Sequence, residues 1–104
     1  MRQPFEIDRF QITIDFSRTD FLPEIEATVK ISTNNQSMNA EAAGDTPLTA
    51  LNKALGRALT RIFRREFTAA EIILPPTRAD NYPLIAKLLT AAYCRQIEIM
   101  TAHE

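Results

Sequence analysis

The chain has 104 residues, 45% hydrophobic and 24% charged, with a formal net charge of -1. This length suits one domain around one core, and the near-neutral charge gives no global field to gather nucleic acid or membrane phosphates. A single cysteine excludes an internal disulfide, and no run approaches the roughly 20 apolar residues that cross a bilayer. The composition therefore predicts one cytoplasmic domain, 1–104, with no membrane partner.

Two segments of alternating polarity predict the first two strands. In FQITIDFS, residues 10–17, apolar and polar side chains alternate, and EIEATVKIS, residues 24–32, repeats this period. An asparagine-containing turn at 33–37 suits a tight hairpin, so a third strand at 37–43 should pair antiparallel with the second. The predicted inward residues of the second and third strands are Ile25, Ala27, Val29, Ile31, Met38, Ala40 and Ala42.

A helix is predicted directly after the third strand, at the Gly-Asp-Thr-Pro corner of residues 44–47. Thr46 can cap the first turn, and Pro47 fits the first helical position because its missing N–H needs no partner there. Asp45 adds negative charge at the positive end of the helix dipole. The apolar stripe of this helix comprises Leu48, Leu51, Leu55, Ala58 or Leu59, and Ile62. The small residues of the preceding strand indicate that this helix packs closely on it.

Four arginines gather in the last turns of this helix and just beyond it. They are Arg57, Arg61, Arg64 and Arg65. Cations complement the negative end of a helix dipole, so the main interpretation is a solvated helix end. An anionic partner is the alternative.

The remaining sequence predicts a strand, a helix and a short closing strand. The strand comprises residues 72–74 and is stopped by two prolines. Asp80 or Asn81 can cap the following helix, and Ile97 and Ile99 suggest the closing strand. The order predicts an α+β fold, an antiparallel sheet with helices on one face. An apolar face left exposed would favour a homodimer.

The sequence offers little to support catalysis. The only histidine, His103, lies at the chain end, and Cys94 is predicted to follow the second helix as a small packing residue. Glu24 and Glu26 share one strand face, where paired carboxylates are usually solvated. We therefore expect no enzyme, no catalytic residue, no metal site and no cofactor.

Residues 42–55, AAGDTPLTALNKAL, together with ATVKIS before the hairpin, carry a family resemblance. They resemble the C-terminal regulatory (allosteric, dimerisation) domain of 2-isopropylmalate synthase and of the related citramalate and homocitrate synthases. The resemblance covers residues 25–59. That domain has two units of three strands and a helix, and its second helix has an aspartate and tyrosine pattern that Asp80 and Tyr93 follow loosely. The resemblance implies one full unit here and a shortened second one.

The resemblance also implies a function in leucine biosynthesis. It implies a stand-alone, dimer-forming module that binds a branched-chain amino acid and acts on a catalytic partner in trans. The ligand-binding residues implied at the corner are Gly44, Asp45, Thr46 and Leu48. Free amides at the helix N-terminus would receive the carboxylate. Thr46 and Thr49 stand where the family has a glycine and an aspartate.

Two alternatives stay open at this point. The chain could be a structural protein–protein interaction domain that binds no ligand. It could also bind double-stranded RNA, whose binding modules likewise run three strands into a helix. The helix here begins with Pro47 and Leu48, and Lys53 and Arg57 come only later, so nucleic acid is the less favoured partner.

Overall fold

Three strands and two long helices make up the fold, and the predicted α+β class is confirmed. A computed structural model describes residues 3–16, 23–78 and 80–102. The elements are β1 (Glu6–Asp15), β2 (Glu24–Ser32), β3 (Ser37–Gly44), α1 (Pro47–Phe63), a 3₁₀ turn (Pro76–Arg78) and α2 (Tyr82–Ala102). The strands form an antiparallel sheet in the order β1-β2-β3.

The central strand β2 alternates as its sequence predicts, and its inward side chains are buried against the helices. On β1 the alternation changes at a bulge between Ile7 and Arg9. Because the bulge adds one residue, Ile7 and Phe10 are both half-buried against the core although they are three positions apart. β1 therefore begins at Glu6, earlier than the predicted start at residue 10.

Helix α1 packs on β3 and β2, as the small residues of β3 predict. Ala40 and Ala42 are buried on the strand side. The buried residues of α1 are Ala50, Leu51, Ala54, Leu55, Ala58, Leu59 and Ile62. Alanines on both surfaces let the backbones approach, so the leucines of α1 reach the centre of the sheet.

The predicted strand at 72–74 is wrong. Residues 64–75 are irregular, and Ile73 is 97% exposed. The amide of Asn52 on α1 pairs with the backbone of Ala70, donating to its carbonyl at 2.8 Å and accepting from its N–H at 3.2 Å. The backbone of Ala70 is therefore hydrogen-bonded to helix α1 and not to a strand of the sheet.

The predicted closing strand through Ile97 and Ile99 is also wrong, because α2 continues to Ala102. Ile97 continues a buried series at helical spacing whose earlier members are Ile85, Leu89 and Tyr93. Two isoleucines two positions apart are too few residues to distinguish the alternation of a strand from the spacing of a helix. Asn81 is the residue that caps α2, since its side chain accepts the N–H of Leu84 at 3.1 Å.

Cys94 lies within α2 instead of beyond its end, so the predicted position was wrong although the predicted packing role agrees with its burial. Burial raises the pKa of the Cys94 thiol, Glu98 raises it further, and a hydrogen bond with the Phe5 backbone opposes the shift. Neither long helix in the described chain has the length and apolarity to cross a membrane.

The hydroxyl of Tyr93 connects α2 to α1. It donates to the side-chain carbonyl of Asn52 and accepts the N–H of Ala70 at 3.4 Å. Burial raises the pKa of Tyr93, against a smaller opposing effect of the Ala70 hydrogen bond. Because the folded state holds this proton more tightly than the unfolded chain, the stabilisation is complete below about pH 10 and is lost as the pH rises further.

We expect Tyr93→Phe to lower the free energy of unfolding by about 1 kcal/mol at neutral pH, through the lost hydrogen bond. Above about pH 10 this variant should lose stability less steeply than the wild type, because it has no buried phenol to ionise. Denaturant unfolding at several pH values measures both effects. Tyr82→Phe is the control, and an equal change in pH slope in that variant would contradict the role of Tyr93.

Candidate functional site

The predicted ligand corner lies where β3 passes into α1. Gly44 ends β3, and a Cβ built on it would lie 2.6 Å from the backbone nitrogen of Ala50 and 3.0 Å from its Cα. No side chain fits at that distance, so the glycine is required by the close passage of α1 over the strand end. Packing alone therefore accounts for Gly44.

The helix start at this corner is already capped. The Thr46 hydroxyl oxygen accepts the Thr49 N–H at 3.0 Å, and the Ala50 N–H donates to the Thr46 carbonyl at 2.9 Å. Pro47 has no N–H to offer. The N–H of Leu48 is thus the one first-turn donor with no acceptor among the described residues.

The four predicted ligand residues do lie together at the corner, although what they bind is untested. Asp45 and Thr46 are exposed, while Gly44 and Leu48 are half-buried. A single free amide beside the Asp45 carboxylate gives weak attraction for an anion. Ligand binding at the corner remains a prediction.

Replacing Gly44 by alanine should lower the free energy of unfolding by about 1–3 kcal/mol, because the new methyl group meets backbone that cannot rotate away. Asp45→Ala, at the next and exposed position, is the matched control and should change stability little. Chemical denaturation measures both. A Gly44→Ala variant as stable as the wild type would show that α1 does not pass so closely over the strand.

Two of the arginines on α1 donate to backbone carbonyls at the free edge of β3. Arg57 donates through Nη1 to the carbonyl of Glu41 at 2.8 Å, and Arg61 donates likewise to the carbonyl of Asn39 at 3.1 Å. Arg57 and Arg61 are four residues apart on the helix, and this distance matches that between two residues, Asn39 and Glu41, that are two positions apart on the strand. They are therefore hydrogen-bonded to the strand, so the interpretation as a solvated helix end does not hold for these two.

This edge clamp, defined as Arg57 and Arg61 on the β3 carbonyls, protects the edge from pairing with other chains. The double variant Arg57→Ala/Arg61→Ala should therefore aggregate faster, with a concentration-dependent rise in thioflavin T fluorescence. The control Lys53→Ala/Arg64→Ala removes equal charge from exposed positions outside the clamp. Equal aggregation in both double variants would mean that charge, and not the edge, is what matters.

A groove lies between the start of β1 and the first turns of α2, and both apolar and charged side chains line it. Its volume is about 750 Å³, within the range of small-molecule sites. Its apolar lining is Ile7, Phe10, Pro83 and Ala86, and its charged lining is Glu6, Asp8, Arg9 and Lys87. Both signs of charge thus border an apolar surface.

Sequence patterns alone do not predict this β1–α2 groove. Its two sides are separated by more than 70 positions in the chain, and the bulge that turns Ile7 toward Phe10 has no clear pattern in the sequence. The only local signal was a mixture of isoleucine, phenylalanine and both charge signs in residues 5–10. Hydrophobic periodicity cannot predict that this segment lies next to Pro83 and Ala86.

A second concave surface of about 650 Å³ lies mainly on the outer face of the sheet. It contains the cations Arg9, Lys30 and Arg61, with Glu41 among them. Along each strand, the side chains of this face alternate with the buried ones and are mostly polar. Its chemistry suits solvent or an anion better than a branched apolar group.

Groups of histidine, cysteine and carboxylates that could hold a metal ion are absent from residues 3–16, 23–78 and 80–102. Cys94 is buried in α2, and Glu24 and Glu26 lie at one end of β2. His103 lies outside the described residues.

Comparison with known proteins gives one partial match. No family model and no solved structure matches the chain. The chain is similar to the (R)-citramalate synthase of Aquifex aeolicus (strain VF5), with 34% identity over 59 residues. The match covers 57% of this chain but only 11% of that synthase. This distant, partial similarity is consistent with the resemblance to the synthase family at the corner.

Proposed function

We propose that this chain is a non-catalytic regulatory module that binds a branched-chain amino acid or a related small acid and acts on a partner protein. The observation that carries the proposal is the match to a citramalate synthase over 59 residues, 11% of that enzyme. So short a segment corresponds to an accessory unit better than to a complete catalytic centre. The unit of three strands and a helix agrees with the regulatory domain that the sequence resembles.

The β1–α2 groove supports the ligand class by its chemistry. A branched aliphatic side chain could pack on Ile7 and Phe10. Lys87 on the helix side can attract a carboxylate, and Glu6 or Asp8 on the strand side can attract an ammonium group. We therefore assign the ligand to this groove in preference to the capped corner.

We expect leucine, isoleucine, valine or one of their 2-oxo acids to raise the melting temperature of the chain. A ligand at a hundred times its dissociation constant adds about 2.7 kcal/mol of stability, which a thermal shift assay resolves easily. Calorimetric titration would then give the affinity. No shift with any of these six compounds would refute the sensing proposal.

Matched variants separate the two sites. Lys87→Ala should abolish the shift if the groove binds the carboxylate, whereas Lys53→Ala removes an exposed lysine of α1 outside the groove and should leave it unchanged. Asp45→Ala tests the corner. A shift lost in Asp45→Ala but kept in Lys87→Ala would move the ligand to the corner.

A structural interaction domain without a ligand is the second candidate. It is favoured by the capped corner, where Thr46 uses an amide that a bound acid would need. On this view the chain associates with itself or with a partner and responds to no small acid. Light scattering together with the thermal shift assay distinguishes the two functions, since only the first predicts a ligand response.

A further inference from the structure

The two edge strands of the sheet, β3 and β1, differ in what contacts their outward backbone groups. At the β3 edge, the Arg57 and Arg61 clamp occupies the outward carbonyls of Asn39 and Glu41. β1 forms the opposite edge and is the longest strand of the sheet. Unpaired edge strands of this length are normally covered or blocked.

The clamp also reveals which backbone groups of β1 point outward. The backbone groups of Asn39 and Glu41 point away from β2. Their partners on β2, among them Thr28 opposite Glu41, therefore direct their own N–H and C=O groups toward β1. Thr28 pairs with Gln11, and pairing alternates along an antiparallel ladder. The residues of β1 that point to the free edge are therefore Phe10, Ile12 and Ile14. None of their backbone groups has a backbone partner at this edge within the described chain.

We propose that β1 pairs antiparallel with β1 of a second copy, centred on Ile12, to form one continuous sheet. The bulge ends the regular part of β1 at Arg9, and the strand ends at Asp15. The midpoint of that regular stretch is Ile12. In this register Ile12 faces Ile12 of the second copy, and Phe10 faces its Ile14, so every outward backbone group between them is paired.

Charge complementarity selects the same register. Within one copy, Arg9 lies opposite Lys30 and Asp15 lies opposite Glu24, so the outer face is basic at one end of the β1–β2 ladder and acidic at the other. Antiparallel pairing about Ile12 places Arg9 beside Asp15 of the second copy, which sets each basic end against an acidic one.

The exposed apolar residues of β1 fit this arrangement. Ile14 is 38% exposed and Phe16, just past the strand, is 74% exposed. In the paired sheet Ile14 lies beside Phe10 of the second copy, and Phe16 comes alongside the start of its β1. The pairing thus covers apolar surface that the single chain leaves in water.

The register is tested by single cysteines in the full-length chain. Facing residues on adjacent strands are within disulfide distance, so Ile12→Cys should form a covalent dimer under mild oxidation. Gln11→Cys and Thr13→Cys should crosslink poorly alone but efficiently when the two variants are mixed, because these positions face each other. The wild type, whose Cys94 is buried, gives the background. Equal crosslinking at all three positions would overturn the register.

A charge exchange tests the same contact without crosslinking. Arg9→Asp should weaken the dimer about tenfold, because two like-charge pairs replace two attractive ones, and Arg9→Asp/Asp15→Arg should restore it. Analytical ultracentrifugation gives the dissociation constants. Ile99→Arg alters the exposed side of α2 and should have no effect. A monomer at all concentrations, or a dimer lost only in Ile99→Arg, would overturn the proposal.

This pairing does not depend on the proposed ligand. A dimer with the expected crosslinks and no thermal response would refute the sensing function and retain the β1 interface. A monomer that responds to a branched-chain acid would do the reverse. The two proposals therefore fail separately.

Discussion

The close approach of α1 to β3 is the constraint on which the rest of the structure depends. It requires alanine and glycine on the strand, and a Cβ at Gly44 would come within 2.6 Å of the Ala50 nitrogen. Because the backbones are so close, Arg57 and Arg61 reach the edge carbonyls of β3, and the leucines of α1 reach the central strand. At the corner itself, the same geometry excludes a side chain at Gly44, and the Thr46 hydroxyl caps the helix. One packing requirement thus accounts for the small residues of the core, for the arginine contacts at the β3 edge and for the glycine at the corner.

The opposite side of the sheet is organised less tightly. Helix α2 is tied to α1 through Tyr93 and Asn52, and its first turns line the groove beside the start of β1. The far half of β1, with the exposed Ile14 and Phe16, extends beyond this cover. Apolar surface and unpaired edge backbone therefore coincide on β1, whereas two outward carbonyls of β3 accept hydrogen bonds from Arg57 and Arg61. This asymmetry is the reason why we propose the β1 side for both the small ligand and the second copy.

Local signals predicted the parts of the fold that depend on local physics. The alternation of β2 and the cap at Thr46 were readable because a period of two and a capping hydroxyl are properties of a few neighbouring residues. The strand expected at 72–74 is not formed, and the nearby backbone of Ala70 is instead hydrogen-bonded to Asn52, 18 positions earlier in the chain, which no local pattern reveals. The ligand role of Gly44 stays a prediction from the sequence, whereas the structure shows a packing role for it that depends on the distance to Ala50. The groove joins residues from both ends of the chain, which no local period reveals.

The groove and the open edge of β1 share residues, so ligand binding and pairing would be coupled. Arg9 and Phe10 line the β1–α2 groove, and both lie in the stretch of β1 that would pair with a second copy. If both proposals hold, a ligand that orders these side chains would change the free energy of pairing, and pairing would change the affinity for the ligand by the same factor. No separate transmission pathway is needed, because both events act on one strand. A module built this way could pass the presence of a small acid to whatever its association state controls, without any catalytic group of its own.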